Sequence, residues 1–256
     1  MFSFFSNSRR RREEAADTLA QAPKDFSFLG CDMHSHLVPG IDDGSQSVED
    51  SLLLIRGFQQ SGYTKLITTP HVQLEFYDNT REKLRAHFAR LQRVMTELGI
   101  TLELQVAAEY YLDNMFLSSV LPDGLLSFGD KYVLVEVSMA GWPRNFSDMI
   151  FAIQSMGYKP ILAHPERYLY EENPNTYLEL KARGVCMQMN LLSVMGYYGK
   201  TVKGLAEKLM DHKVYDFCGS DVHHQRHMAQ ITRLMQEQPA LMAKLGSYGF
   251  RNEVLL

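Results

Sequence analysis

Short apolar runs alternate along this chain with longer segments whose apolar positions recur every three or four residues, the spacing of a helix with one buried face. Because the runs are almost continuously apolar, they are typical of parallel strands that are buried on both faces. Seven such strands are predicted, at residues 28–33, 65–69, 102–107, 132–137, 160–163, 185–189 and 215–218.

A glycine stands between several helical segments and the strand that follows each of them. A helix commonly ends at such a residue in the left-handed conformation, which glycine adopts without a steric penalty. The four positions are Gly62, Gly99, Gly157 and Gly184. The helix before Gly62 also has a start signal, because Ser47 precedes Asp50 by three residues in a pattern typical of an N-cap.

Strands that alternate with helices favour right-handed β-α-β units, and therefore a parallel sheet in an α/β fold. Seven such units suggest a closed or nearly closed barrel, although an open, doubly wound sheet would show the same local pattern. No Gly-x-Gly-x-x-Gly or P-loop pattern follows any strand, which disfavours a nucleotide-binding sheet. The predicted domain comprises residues 26–256, after a flexible, charged segment at residues 1–25 that contains four consecutive arginines at positions 9–12.

Composition excludes several classes of protein. Of the 256 residues, 45% are apolar and 22% are charged, and the net charge of −4 argues against a non-specific nucleic-acid binder. No apolar stretch is long enough to cross a bilayer, and the opening MFSFF is too short for a signal peptide, so we expect a cytoplasmic protein without membrane insertion. The chain has three cysteines, an odd number that cannot all pair in disulfides. They lie in apolar runs and are expected to be buried thiols: Cys31, Cys186 and Cys218.

Histidines and carboxylates collect where the predicted strands end. In the HSH pattern, side chains two positions apart on a strand point the same way, so both imidazoles can face one ion. A single such residue is more often structural than a ligand, but this many on one barrel rim would be costly without bound cations. With one residue from the loop after the first strand, the candidates are His34, His36, Asp43, His71, Glu109, Glu136, His164, Asp221 and His223.

This donor set is too large for one ion and indicates two or three, with a carboxylate bridging between them. Neutral imidazole and carboxylate without thiolate suit Mn, Fe or Zn, and do not choose between these metals. The other histidines are interpreted as surface or supporting residues: His87, His212, His224 and His227.

Six motifs, in this order, resemble a known superfamily: DMHSHLVPGIDDG, TTPH, AAEYY, VEVS, AHPER and GSDVHH. The superfamily is PHP (polymerase and histidinol phosphatase). The closer similarity is to its bacterial metal-dependent protein-tyrosine phosphatases of the CpsB/YwqE type, which occur with capsule and exopolysaccharide synthesis systems. The resemblance spans residues 28–252. It implies a single (β/α)7 TIM-like barrel with the active site at the carboxyl ends of the strands.

The resemblance also implies three metal ions, Mn first and Fe or Zn as alternatives, and divides the ligands among them. Around the first ion it places His34, His36, Glu109 and Asp221. It makes Glu109 bridge to a second ion completed by Glu136 and His164, and gives the third ion Asp43, His71 and His223. Asp42 competes for the role of Asp43, and the family pattern favours Asp43.

Two arginines match family positions that contact phosphate, Arg167 in HPER and Arg226 in HHQRH. In the family the second arginine usually precedes prolines, whereas here His227 and Met228 follow. The implied reaction is hydrolysis of phosphotyrosine by a metal-bridging hydroxide, on the tyrosine-rich C-terminal tail of a bacterial tyrosine kinase. No cysteine has an arginine six positions later, so the cysteine-nucleophile route lacks its signature.

Two other functions remain open. A small-molecule phosphomonoesterase such as a histidinol phosphatase would share nearly all of these ligands, although Glu136 and Asp43 resemble the tyrosine-phosphatase branch. A catalytically silent binding module would be favoured by lost ligands, and all nine are present. Aromatic residues in Tyr110–Tyr111 and in the GWPRNF segment either flank a substrate ring or pack the barrel mouth.

Overall fold

A computed structural model describes residues 22–256 of the chain, so the four arginines and most of the segment predicted to be flexible lie outside the described residues. The strands are β1 Cys31–Asp32, β2 Lys65–Thr68, β3 His71–Val72, β4 Glu103–Val106, β5 Glu109–Tyr111, β6 Tyr132–Glu136, β7 Lys159–Ala163, β8 Cys186–Asn190 and β9 Phe217–Gly219. The helices are α1 Val48–Gln60, α2 Arg81–Glu97, α3 Phe146–Ser155, α4 Pro174–Ala182, α5 Leu191–Met195, α6 Lys200–Asp211, α7 Gln225–Glu237 and α8 Pro239–Gly246.

All strand pairs are parallel, which confirms the predicted α/β fold. They form two ladders, β1-β2-β4 and β3-β5-β6-β7-β8-β9. The ladders join because β3 continues the path of β2 and β5 continues that of β4, with Ala107 N–H donating to the Thr68 carbonyl over 2.8 Å between them. At the other junction a parallel bridge pairs Ser35 with Val222. The seven predicted strand positions therefore follow one another around a ring.

Several strand boundaries differ from the prediction. The first strand starts at Cys31 rather than at residue 28, because a turn precedes it in which Leu29 N–H and Gly30 N–H donate to the Phe26 carbonyl. The second and third predicted strands are each followed, after a short break, by a further strand that was not predicted: β3 follows β2 and β5 follows β4. Pro70 stands at the break between β2 and β3, and proline lacks the N–H that a ladder requires.

The predicted helix ends are confirmed. At the start of α1 the Ser47 hydroxyl accepts a hydrogen bond from Asp50 N–H over 3.1 Å. The four glycines before the strands all have left-handed backbone conformations: Gly62, Gly99, Gly157 and Gly184. These caps stop each helix where the chain must turn back into the barrel wall.

Apolar side chains fill the barrel below the strand ends, and a larger apolar layer lies between the wall and the helices. On β6, Tyr132 and Leu134 belong to the interior cluster, and Glu136 follows on the same face two residues later. The strand alternation therefore carries a carboxylate to the upper end of the interior. Within residues 22–256, no helix combines the length and apolar character that a bilayer-crossing segment needs.

Candidate metal centre

The strand ends bring all nine predicted ligands into one cluster beside a cavity of about 320 Å³. Four overlapping groups of three or four residues have donor atoms within 4.8 Å of one another. The groups are His36, Asp43, His71 and His223; His34, His36 and Asp221; His34, Glu109 and His164; and His71, Glu109 and Glu136. They share members, so the geometry presents one continuous donor array rather than three separate sets.

His34 and His36 point their Nε2 atoms at each other across 3.3 Å. The Nδ1 atom of His34 lies 2.9 Å from Oε1 of Gln188, whose own Nε2 donates to the Met189 carbonyl and so sets the amide orientation. The Nδ1 atom of His36 lies 2.9 Å from a carboxylate oxygen of Asp42. Both Nδ1 atoms are therefore donors, so in the neutral rings that a bound cation requires, both Nε2 atoms present lone pairs. Two facing lone pairs and adjacent carboxylates fit a cation between them.

The aspartate pair after the first strand has two different roles. Asp42 is buried and accepts hydrogen bonds through Oδ2 from the His36 ring and from His71 N–H. The Asp43 side chain is 58% exposed, and its Oδ1 lies 3.5 Å from Nε2 of both His71 and His223. Asp43 therefore offers its oxygen to the cavity, while Asp42 orients an imidazole from behind.

The glycine that closes this loop is required by a close approach. A Cβ atom at Gly44 would lie 2.3 Å from the backbone oxygen of His36, well inside contact distance. Gly44 N–H also donates to Oδ1 of Asp42 over 2.9 Å. The DDG pattern thus folds the loop tightly enough to place its first aspartate against His36.

Glu109 is buried at the centre of the array and uses both of its oxygens. Oε2 lies 3.1 Å from His34 Nε2 and 3.3 Å from His71 Nδ1, and Oε1 lies 3.2 Å from His164 Nε2. Glu136 faces the same His71 nitrogen at 3.1 Å. A carboxylate whose two oxygens meet different neighbours suits a bridge between ions.

Asp221 presents one oxygen to the array and keeps the other for protein contacts. Its Oδ2 accepts from Asn190 Nδ2 at 2.7 Å and from Arg167 Nη1 at 3.2 Å. Its Oδ1 lies 3.3 Å from His34 Nε2 and 3.4 Å from His223 Nδ1. Only Oδ1 is therefore directed towards the imidazoles.

Two of the clustered residues have a backbone conformation that side chains other than glycine rarely adopt. His164 has a φ of +35° and Asp221 a φ of +54°. Such positions cost about 1–3 kcal/mol and persist where the surroundings hold them. At Asp221 the preceding residue is held in this way, because the N–H and the hydroxyl of Ser220 both donate hydrogen bonds to the buried Asp32.

The charges of the array stabilise one another. Burial lowers the pKa of His34, but the carboxylates of Glu109 and Asp221 outweigh this effect and raise it to about 9. Burial raises the pKa of Glu109, and the imidazoles around it hold that pKa well below its usual range. A hydrogen bond to His223 lowers the pKa of Asp43. The carboxylates of Glu109 and Asp43 are thus ionised at neutral pH, as divalent-cation ligands must be.

Arg167 lies at the mouth of the same cavity. Its guanidinium group stacks on the ring of Tyr198 at 4.6 Å and its Nη1 contacts Asp221. Arg226 does not line this cavity. It is exposed at the start of α7 and lines an adjoining cavity of about 390 Å³, which shares His223 and His224 with the first.

The remaining aromatic residues considered from the sequence mostly pack the barrel. Tyr110 is buried, with its hydroxyl accepting from Leu126 N–H over 2.6 Å. The Trp142 ring packs against Phe146 and Tyr168 rather than lining the metal cavity. The cavity residues that are neither predicted ligands nor arginines are Met139, Tyr198, His224 and His227.

Several supporting residues were not predicted from the sequence. Gln188 and Asn190 orient His34 and Asp221, and strand alternation placed both of them on one face of β8. That alternation was the only available signal, because an amide at a strand end is chemically ordinary. None of the three cysteines lines the cavity: Cys31 and Cys218 are buried as expected, and Cys186 is partly exposed.

Comparisons with known proteins agree with this geometry. The profile of a family described as "Capsular polysaccharide synthesis, CpsB/CapC" matches residues 30–248. The tyrosine-protein phosphatase YwqE of Bacillus subtilis is 29% identical over 220 residues, 85% of either chain. The tyrosine-protein phosphatase CpsB of Streptococcus pneumoniae is 27% identical, over 75% of this chain and 82% of the relative.

Solved structures show the same likeness. A crystal structure from work on YwqE of Bacillus subtilis and CpsB of Streptococcus pneumoniae, described there as unique metal-dependent tyrosine phosphatases, gives a TM-score of 0.74 at 27% identity and covers 88% of this chain and 94% of that one. An amidohydrolase of Mycoplasma synoviae shares the fold alone, with a TM-score of 0.53 at 12% identity over 88% of this chain and 87% of that one.

Proposed function

The chain belongs to the CpsB/CapC family of capsular polysaccharide synthesis proteins, and from this premise we propose that it is a metal-dependent protein-tyrosine phosphatase. The observation that carries the proposal is one cavity that seven residues of the donor array line together with Arg167, with His34 and His36 buried behind them. Hydrolysis of a phosphate monoester needs cationic charge and an activated water. Bound metal ions supply both, and the donor array provides the ligands to hold such ions. The relatives YwqE and CpsB bear the same activity in their names.

The donor array is proposed to hold two to three divalent ions, with Mn as first choice and Fe or Zn as alternatives. When bound, such ions lower the pKa of a coordinated water and offset the charge of a phosphate. We assign the ligands as implied by the family resemblance. Those for the first ion are His34, His36, Glu109 and Asp221; Glu109, Glu136 and His164 serve the second; and Asp43, His71 and His223 serve the third.

Arg167 is proposed to bind the non-bridging oxygens of the phosphate. A planar guanidinium matches two phosphate oxygens at once, and its stack on Tyr198 holds it at the cavity mouth. Arg226 is proposed as a further contact to the substrate. Because it lines the adjoining cavity, it must turn past His223 and His224 to meet the same phosphate.

A tyrosine ester fits a cavity of this kind. Phenolate leaves with a pKa of about 10, so its departure needs less protonation than that of an alkoxide. We propose that the substrate is the tyrosine-rich C-terminal tail of a bacterial tyrosine kinase of capsule synthesis, which places the reaction in the cytoplasm. The family match to capsule synthesis proteins supports this choice.

The test is phosphate release from a phosphotyrosine peptide by chelated enzyme, with and without added Mn, with histidinol phosphate assayed in parallel. We expect Mn to restore activity on the peptide and His34→Ala to abolish it. His87→Ala, which removes a histidine from α2 outside the array, is the matched control and should retain activity. Activity on histidinol phosphate alone would instead indicate a small-molecule phosphatase. Metal binding without activity on either compound would indicate a binding module.

A further inference from the structure

Exposed apolar side chains gather around the mouth of the metal cavity. Phe76, Met139, Leu169, Tyr170 and Tyr197 are all exposed, and we call this set the apolar rim. Single exposed hydrophobic residues are normal on a protein surface, but a group around one functional pocket marks an interaction site.

The rim comes from loops that follow several different strands. Phe76 follows β3, Met139 follows β6, and Leu169 and Tyr170 follow β7. Tyr197 lies between α5 and α6. In a parallel barrel these loops share the end at which the strands deliver their last side chains, so the rim lies at the same end as the donor array.

Parts of the rim contact the cavity directly, and others adjoin residues that do. Met139 lines the cavity itself. Next to Phe76, the Tyr77 ring stacks on His71 with centroids 5.4 Å apart. The Tyr197 ring meets His227, a cavity residue, edge to face at 4.9 Å.

On the β7 side the connection runs through one buried ring. The Tyr170 ring lies 6.0 Å from that of Tyr168, which in turn lies 5.8 Å from the His164 ring. Leu169 lies between the two tyrosines in the chain. This part of the rim is therefore connected to the site through the ring of Tyr168.

We propose that the apolar rim binds the residues that flank phosphotyrosine in a protein substrate, and that it selects segments whose flanking side chains are apolar. This inference rests on the proposed phosphatase function. A small phosphate ester occupies the cavity alone, whereas an extended peptide carries its neighbouring residues across the loops on either side. Burial of those side chains against Phe76 and Met139 would add affinity that a small substrate cannot obtain.

The test compares two phosphotyrosine peptides of equal length and charge, one with Leu and Val beside the phosphotyrosine and the other with Ser and Asn. Each is measured as kcat/KM relative to p-nitrophenyl phosphate, with the Mn-loaded enzyme. We expect the apolar peptide to be preferred by about fivefold to twentyfold, the range given by burying part of one or two large side chains.

The variant that probes the rim is Phe76→Ser, with Phe151→Ser as its control. Phe76 is 72% exposed and Phe151, on α3 away from the cavity, is 70% exposed, so the two substitutions remove equal surface in different places. Phe76→Ser should reduce the preference for the apolar peptide several-fold, and Phe151→Ser should leave it unchanged.

Three results would overturn some part of the argument, and they differ from one another. No turnover of either peptide or of p-nitrophenyl phosphate would refute the phosphatase function itself. Turnover of both peptides without preference would refute the rim proposal and leave the function intact. If sedimentation shows that Phe76→Ser converts a dimer into monomers, with the peptides hydrolysed equally, the rim is an interface between two copies of the chain.

Discussion

Asn190 donates a hydrogen bond from Nδ2 to Oδ2 of Asp221 over 2.7 Å, and thereby leaves only Oδ1 of that carboxylate facing the imidazoles. Asn190 is itself held at both ends, because its backbone N–H donates to the buried carboxylate of Glu166 over 2.8 Å and its Oδ1 accepts from Leu192 N–H over 2.9 Å. A residue outside the donor array thus determines which oxygen of Asp221 is offered as a ligand.

Replacing Asn190 by Ala should weaken metal binding by about tenfold to one hundredfold, the usual effect of losing a residue that orients a ligand. The reason is that Asp221 can then rotate and Arg167 alone contacts its second oxygen. The measurement is a titration of the chelated protein with Mn, followed by isothermal calorimetry. Asn175→Ala, on the exposed side of α4, is the control, and equal affinities in the two variants would show that Asn190 has no such role.

The two arginines should differ strongly in their effect on catalysis. Removing a group that binds charge in the transition state typically costs about one hundredfold to one thousandfold, and we expect Arg167→Ala to lower kcat/KM by this amount. Arg167→Lys should recover little, because an ammonium group lacks the planar pair of donors. Arg226→Ala should cost less than about tenfold, because its side chain lines the adjoining cavity.

Steady-state kinetics on one phosphotyrosine peptide measure all three arginine variants together. Equal losses for Arg167→Ala and Arg226→Ala would mean that Arg226 turns into the metal cavity when substrate binds. Circular dichroism checks that each variant is folded, which separates loss of a contact from loss of structure.

Sequence reasoning located eight of the nine clustered residues because they stand at strand ends, which strand geometry brings to one rim, and it added Asp43 from the loop after the first strand. It did not find Gln188 or Asn190 as orienting residues, since their roles depend on which side chains face them from other strands. The break between β2 and β3 at Pro70 was also missed. A proline that interrupts a ladder leaves the hydrophobic pattern intact.

The aspartate pair offers a test of metal number. Asp43→Ala should remove about one ion per chain, because its oxygen faces the part of the array formed with His36, His71 and His223. Asp42→Asn should keep the number of ions and lower their affinity, because an amide still contacts the His36 ring but no longer accepts its hydrogen bond through a charged oxygen. Elemental analysis of dialysed protein gives the stoichiometry directly. The opposite pattern would make Asp42 the ligand.

A buried carboxyl beneath the site should make stability fall as the pH rises. Burial raises the pKa of Glu166 above its usual value of 4.5, although hydrogen bonds to its carboxylate oppose this. Between the unfolded pKa and the raised folded one, the native protein keeps a proton that the unfolded chain has released. Unfolding free energy therefore decreases with increasing pH in that window.

Glu166→Gln removes this titration while preserving the shape of a side chain that contacts Asn190 N–H and the Tyr215 hydroxyl. We expect the free energy of unfolding of Glu166→Gln, relative to wild type, to increase as the pH is raised above 4.5, the usual pKa of the carboxyl group. Urea unfolding of both proteins in chelator measures the difference, and the titrations that the two proteins share cancel from it. Glu179→Gln, on the exposed side of α4, controls for removal of one negative charge. A difference that does not change with pH would mean that Glu166 is ionised in the native protein throughout this range.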